Sequence, residues 1–105
     1  MVPTLNDVQQ DIRYQILRDY PTRDQQSLAH MMVFGLTEEA GEVAGIFKRR
    51  VRQFEKDIPR ATDEELQKEL GDVLWYLIGL CFACGFTLEE VYALNKKKLE
   101  ERYGR

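Results

Sequence analysis

Little in this chain interrupts a helix. Its 105 residues hold three prolines and seven glycines, too few turn formers for a fold of many short strands. No segment alternates apolar and polar residues over a strand's length. A single histidine, His30, leaves almost no material for a Ser-His or Cys-His catalytic arrangement; it is a surface or interface residue, or lines a pocket at the start of its helix. The two cysteines, Cys81 and Cys84, form a C-x-x-C with no second pair and no suitably spaced histidine. They read as small core residues in an apolar helical run rather than as a zinc or redox motif. No apolar run approaches the roughly 18 to 20 residues that span a bilayer. The first residues lack a basic-then-apolar signal pattern, so the expected compartment is the cytoplasm. Neither sign of charge dominates: 15 basic against 18 acidic residues give a net charge of -3, with no general reason to expect nucleic-acid binding. What remains, 44% hydrophobic and 31% charged, is ordinary for one globular domain covering residues 1–105.

Helical spacing organises all of it. Leu5, Val8, Ile12, Ile16 and Leu17 predict a first helix, capped by Thr4 or Asn6 and closed by Pro21. A second helix is expected from about residue 24 to 53, with a stripe of Leu36, Ala40, Val43, Phe47 and Val51 and a basic run at its end. Thr62 with Glu65 makes a capping box for a third helix, whose stripe is Leu66, Leu70, Val73, Leu77, Cys81 and Cys84 and whose end is Gly85. Thr87 with Glu90 opens a fourth, from about residue 88 to 102. The fold class is all-α with four helices. Trp75, Ile78, Leu80 and Phe82 fall outside or at the edge of the third stripe, an apolar excess that predicts a bundle completed by homo-oligomerisation, with Trp75 at the interface.

Two acidic clusters carry the chemistry. Leu36-Thr37-Glu38-Glu39-Ala40-Gly41-Glu42-Val43 puts three carboxylates within five residues, and Glu69-Leu70-Gly71-Asp72 follows. Like charges three or four apart on a helix repel, so a compensating cation is expected. With Leu36 at zero on one helix and Leu66 at zero on the next, Glu39 and Glu69 both project to about 300° and Glu42 and Asp72 both to about 240°. Such same-handed flanks meet only if the two helices run antiparallel, as a short connection demands. Glu39, Glu42, Glu69 and Asp72 are therefore predicted to converge, with Glu38 further out. An all-oxygen set suits Mg²⁺, or Mn²⁺, better than zinc; the alternative is a set of solvated surface acids. Arg49, two turns beyond Glu42, could reach a phosphate or could simply favour its helix C-terminus electrostatically. Gly41 and Gly71, each inside a helix, are expected where helices approach closely.

These residues carry a likeness. Glu-Glu-Ala-Gly-Glu-Val at 38–43, Glu-Leu-Gly-Asp-Val-Leu-Trp-Tyr-Leu at 69–77, then Leu88-Glu89-Glu90-Val91, Asn95-x-x-Lys98-Leu99 and Arg102 resemble the MazG-type all-α nucleoside triphosphate pyrophosphohydrolases over about residues 28 to 103. The resemblance implies that the acids hold Mg²⁺ against substrate phosphates and that a nucleoside triphosphate, with a dNTP the expected form, is cut between its α and β phosphates. It implies a homo-oligomer, with a tetramer expected over a dimer. It places Tyr76 near the substrate and likens Asn95 and Lys98 to phosphate and sugar contacts. Ordinary readings stand beside these: a core-edge tyrosine with a wet hydroxyl, and a solvated lysine in a basic run. Metal binding is assigned to Glu39, Glu42, Glu69 and Asp72, and handling of the attacking water to Glu38 or Glu39. Related phosphoribosyl-ATP, dUTP and dCTP pyrophosphatases, and a non-catalytic oligomerising helical module, are the alternatives.

Overall fold

The computed structural model describes residues 2–52, 55 and 59–104. Four helices follow one another: α1 (Leu5–Asp19), α2 (Gln25–Val51), α3 (Asp63–Cys84) and α4 (Leu88–Tyr103). No strand occurs among the described residues. Gln53, the expected end of the second helix, lies outside them. Each start is set by a side chain that accepts a backbone N–H otherwise left free in the first turn. Thr4, Thr62 and Thr87 make full capping boxes with Asp7, Glu65 and Glu90, and Asp24 caps α2 through the Ser27 N–H. Gly85 ends α3 at φ 79°, a left-handed conformation that suits glycine, and its N–H reaches back to the last turn.

α2 and α3 pair antiparallel along most of their length. Met32 lies at Gly79, Gly35 at Tyr76, Glu39 at Glu69 and Asp72, Arg49 at Glu65, and Arg50 at Asp63, so rising α2 numbers meet falling α3 numbers. Two glycines set how closely the helices approach. A Cβ on Gly35 would overlap the Tyr76 ring, and one on Gly79 would fall 2.5 Å from Met32 Sδ. Gly41 and Gly71, expected at close approaches, instead face open space. The last turn of α2 is basic and the first turn of α3 acidic, and they are joined by Arg49–Glu65 and Arg50–Asp63 ion pairs at 2.8 and 2.7 Å.

α1 covers one end of this hairpin, where Ile12 and Ile16 pack with Leu28, Met32, Ile78 and Ala83. Two glutamines tie it down. Gln15 Oε1 accepts from Trp75 Nε1 at 2.9 Å. Gln9, 7% exposed, donates to the Phe86 carbonyl and accepts from the Leu88 N–H, which pins the turn from which α4 leaves at 98° to α3. No residue of α4 is buried.

On α1, Val8, Ile12 and Ile16 pack inward as expected, but on α2 and α3 the periodic stripes were only partly the buried faces. On α2 the buried residues are Leu28, Met32 and Ile46, while Ala40, Phe47 and Val51 are exposed. On α3 the buried residues are Ile78, Gly79, Cys81 and Ala83, whereas Leu70, Leu74 and Leu77 are 48, 47 and 39% exposed and Cys84 is exposed. On α1, Leu5 and Leu17 are exposed. Trp75, expected at an oligomer interface, packs within the chain against α1 and edge-on to Tyr76. The reason is that α3 is apolar on two sides, and periodicity does not say which side the chain itself covers; the Gly35 and Gly79 contacts decide it. Projected at about 100° per residue, Val33, Phe47 and Val51 on α2 and Leu70, Leu74 and Leu77 on α3 fall on the same side of the hairpin, opposite α1. This bare apolar face accompanies an open shape, with a radius of gyration of 16.9 Å where a compact domain of this length has about 13 Å.

The two classes of glycine predict opposite responses. Gly35→Ala should lower the unfolding free energy measured in urea by about 1–3 kcal/mol, for forcing Tyr76 out of place. Gly71→Ala, in open space, should raise it by up to about 1 kcal/mol from helix propensity. Equal effects at both positions would contradict a seam set by Gly35.

Candidate metal and substrate site

The antiparallel seam brings Glu39, Glu69 and Asp72 together: one carboxylate oxygen from each lies within 4.8 Å of the others. Glu39 and Glu69 are half-buried and Asp72 is exposed. Glu39 sits on the α2 face that meets α3, not on a flank of an apolar stripe as projected from Leu36, because the buried face of α2 is turned toward Met32 and Ile46. Its carboxyl is held above the usual carboxylate range. Desolvation between the helices is the largest cause, followed by a hydrogen bond with Glu69 and the charges of Asp72, Glu69 and Glu38.

Glu42 is not in that group of three. It lies one turn along α2, where with Glu69 it lines a cavity of about 520 Å³ that continues to Arg49, Glu65 and Lys68. Glu38 is exposed and acts on the site through its charge. Tyr76 lies on the other side of the three carboxylates, half-buried over Gly35. Its hydroxyl is pushed above the usual tyrosine value by burial first, then by Tyr20, Glu39, Glu38 and Asp72. Asn95 and Lys98 stand on exposed α4, and neither lines the cavity beside the carboxylates. A single chain therefore does not gather every residue singled out from the sequence. His30 is exposed on α2, tilted against Phe34 with ring centroids 6.5 Å apart. Glu65 and Lys68 were not singled out from the sequence. Glu65 was visible only as a helix cap, and Lys68 had no signal beyond its place beside Glu69.

Three carboxylates this close, one of them driven toward its protonated form, suit a hard divalent cation. Bare, they repel; around a cation, the same oxygens form an all-oxygen donor set from two rigid helices.

The comparisons place the chain in a family. Residues 26–104 match the MazG nucleotide pyrophosphohydrolase domain, and the chain belongs to that family. It is 36% identical over 74 residues to the Gene 37 protein of Mycobacterium phage L5; the match covers 70% of this chain and 65% of the phage protein. No solved structure gives a significant match.

The raised Glu39 carboxyl has a pH consequence. Just above the ordinary glutamate value of about 4.3, the folded state holds more protons than the unfolded chain, so the metal-free protein should lose stability as pH rises through that window. Glu39→Gln should remove this slope and raise the metal-free urea midpoint at neutral pH. Added Mn²⁺ should stabilise the parent protein more than the variant. A variant no more stable than its metal-free parent at neutral pH would contradict mutual repulsion at this site.

Proposed function

We propose that this protein is a Mg²⁺-dependent nucleoside triphosphate pyrophosphohydrolase that converts a (d)NTP into (d)NMP and pyrophosphate and serves nucleotide-pool control or cleansing. The observation that carries this reading is the convergence of Glu39, Glu69 and Asp72 from two antiparallel helices in a chain of the MazG family. Hydrolysis at a phosphate needs charge neutralisation and a positioned water more than a covalent nucleophile. Glu39, Glu69 and Asp72, joined by Glu42 from the next turn, would hold Mg²⁺, with Mn²⁺ as a substitute. The bound cation would neutralise phosphate charge and lower the pKa of a coordinated water.

The chain's own groups supply the rest. Glu38 or Glu39, at the edge of the converging carboxylates, would orient the attacking water or take its proton. Tyr76, over Gly35 beside the carboxylates, would bound the substrate on the nucleoside side. Arg49 is assigned to phosphate. Asn95 and Lys98 would complete substrate binding from α4, and their separation from the carboxylates within one chain favours an assembly in which a neighbouring copy presents them. The bare face of Leu70, Leu74 and Leu77 is the surface on which a second copy would pack. It lies on the side of the hairpin away from the cavity, so pairing there leaves the site open. A tetramer would be two such dimers.

Incubation with individual dNTPs and Mg²⁺ should release pyrophosphate rather than orthophosphate. Glu39→Ala and Asp72→Ala should each reduce turnover below detection while retaining helical circular dichroism. Full activity in either variant would sink the metal assignment, and no turnover across the panel would leave a non-catalytic helical module. Leu74→Glu should shift the parent oligomer to a smaller species in sedimentation; an unchanged mass would show that this face is not the contact.

A further inference from the structure

The cavity beside the carboxylates has two chemically different ends. Glu42 and Glu69 form one, and Arg49, Lys68 and Glu65 form the other, one to two turns away. Gly45 lies on α2 midway between Glu42 and Arg49, and nothing occupies the 4 Å around the position its Cβ would take. The groove is thus open along its length, and opens on the side of the hairpin that the apolar face leaves free.

The cations at its far end differ in how firmly they are engaged. Arg50 is committed to the fold: it donates to the Ala61 carbonyl and to Asp63. Arg49 faces the groove and donates from Nη2 to Glu65 Oε2 at 2.8 Å, which leaves most of its five N–H donors available. That same Glu65 oxygen also accepts from the Thr62 N–H at 3.3 Å, so Glu65 keeps a partner if Arg49 turns to a ligand. Lys68 Nζ lies 3.4 Å from Glu64 in an exposed pair, a contact of small net strength. Carboxylates at one end and displaceable cations at the other match a metal-chelated polyphosphate, whose inner non-bridging oxygens need the metal and whose terminal oxygens need N–H donors.

We propose that Arg49 and Lys68 bind the departing pyrophosphate half of the substrate. The triphosphate then lies along the groove with its leaving end toward the C-terminus of α2 and its nucleoside end toward Tyr76. This rests on the pyrophosphohydrolase reading of the same carboxylates and adds a direction to it. Glu65 acts as a competitor that holds Arg49 until phosphate displaces it.

Calorimetric titration with inorganic pyrophosphate in Mg²⁺ tests this without turnover. Arg49→Ala combined with Lys68→Ala should weaken pyrophosphate binding by about tenfold or more, the scale of one lost charge-assisted hydrogen bond. Binding of Mn²⁺ alone and of dNMP should be unchanged. Glu65→Gln retains the capping box, since glutamine serves at that position, and should tighten pyrophosphate binding several-fold, which a purely structural role for Glu65 would not do. Pyrophosphate affinity equal to the parent's in the double variant, dNMP affinity falling in step with it, or weaker binding in Glu65→Gln would each overturn the assignment. If the parent releases pyrophosphate from a dNTP and only these variants misbehave, the groove assignment alone fails. If the parent neither binds pyrophosphate nor releases it from any nucleotide, the pyrophosphohydrolase reading fails with it.

Discussion

Everything distinctive about this structure depends on how closely α2 and α3 approach at Gly35 and Gly79. Tyr76 and Met32 occupy the space where those two residues lack side chains. That contact chooses the register and the rotation of both helices, and the same register brings Glu39 between Glu69 and Asp72. The site is therefore a by-product of apolar packing. The seam presses acidic groups into partial burial, and the cost of that burial is what a cation would relieve.

The ends of the hairpin are managed differently. At one, α1 closes the core and is fastened by two glutamines, with Gln9 fixing the turn into α4 and Gln15 holding Trp75. At the other, complementary charges in the last turn of α2 and the first of α3 join the helices where no third helix covers them. The arrangement leaves the groove beside Glu42 accessible and the opposite apolar face bare. The groove and the bare apolar face thus lie on opposite sides of one helix pair.

Glycine has two uses here. Gly35 and Gly79 permit close packing, and Gly45 lines the open groove. Gly41 and Gly71 stand between acidic residues but touch nothing across the seam, so proximity to the motif was a poor guide to which glycines matter for packing. The cations divide in a similar way: Arg50 is bound into the helix connection, while its neighbour Arg49 faces the cavity.

Local chemistry alone determined the four helices and nearly all of their ends. A threonine three residues before a glutamate, or a glycine after an apolar run, acts within one turn. The antiparallel pairing and the meeting of Glu39 with Glu69 and Asp72 were also legible, because a short connection and a repeated acidic spacing leave few alternatives. Which apolar face α2 and α3 bury was not. Leu70, Leu74 and Leu77 have the same periodic signal as a core, and Trp75 and Ile78 the same signal as a surface stripe. Only contacts between residues distant in the chain separate them: Tyr76 against Gly35, Met32 against Gly79, Trp75 against Gln15. Tertiary packing likewise decided that Glu42 lines the neighbouring groove rather than joining the three converging carboxylates. A rotation of a helix by a fraction of a turn moves a side chain from one to the other, and sequence spacing does not encode that rotation.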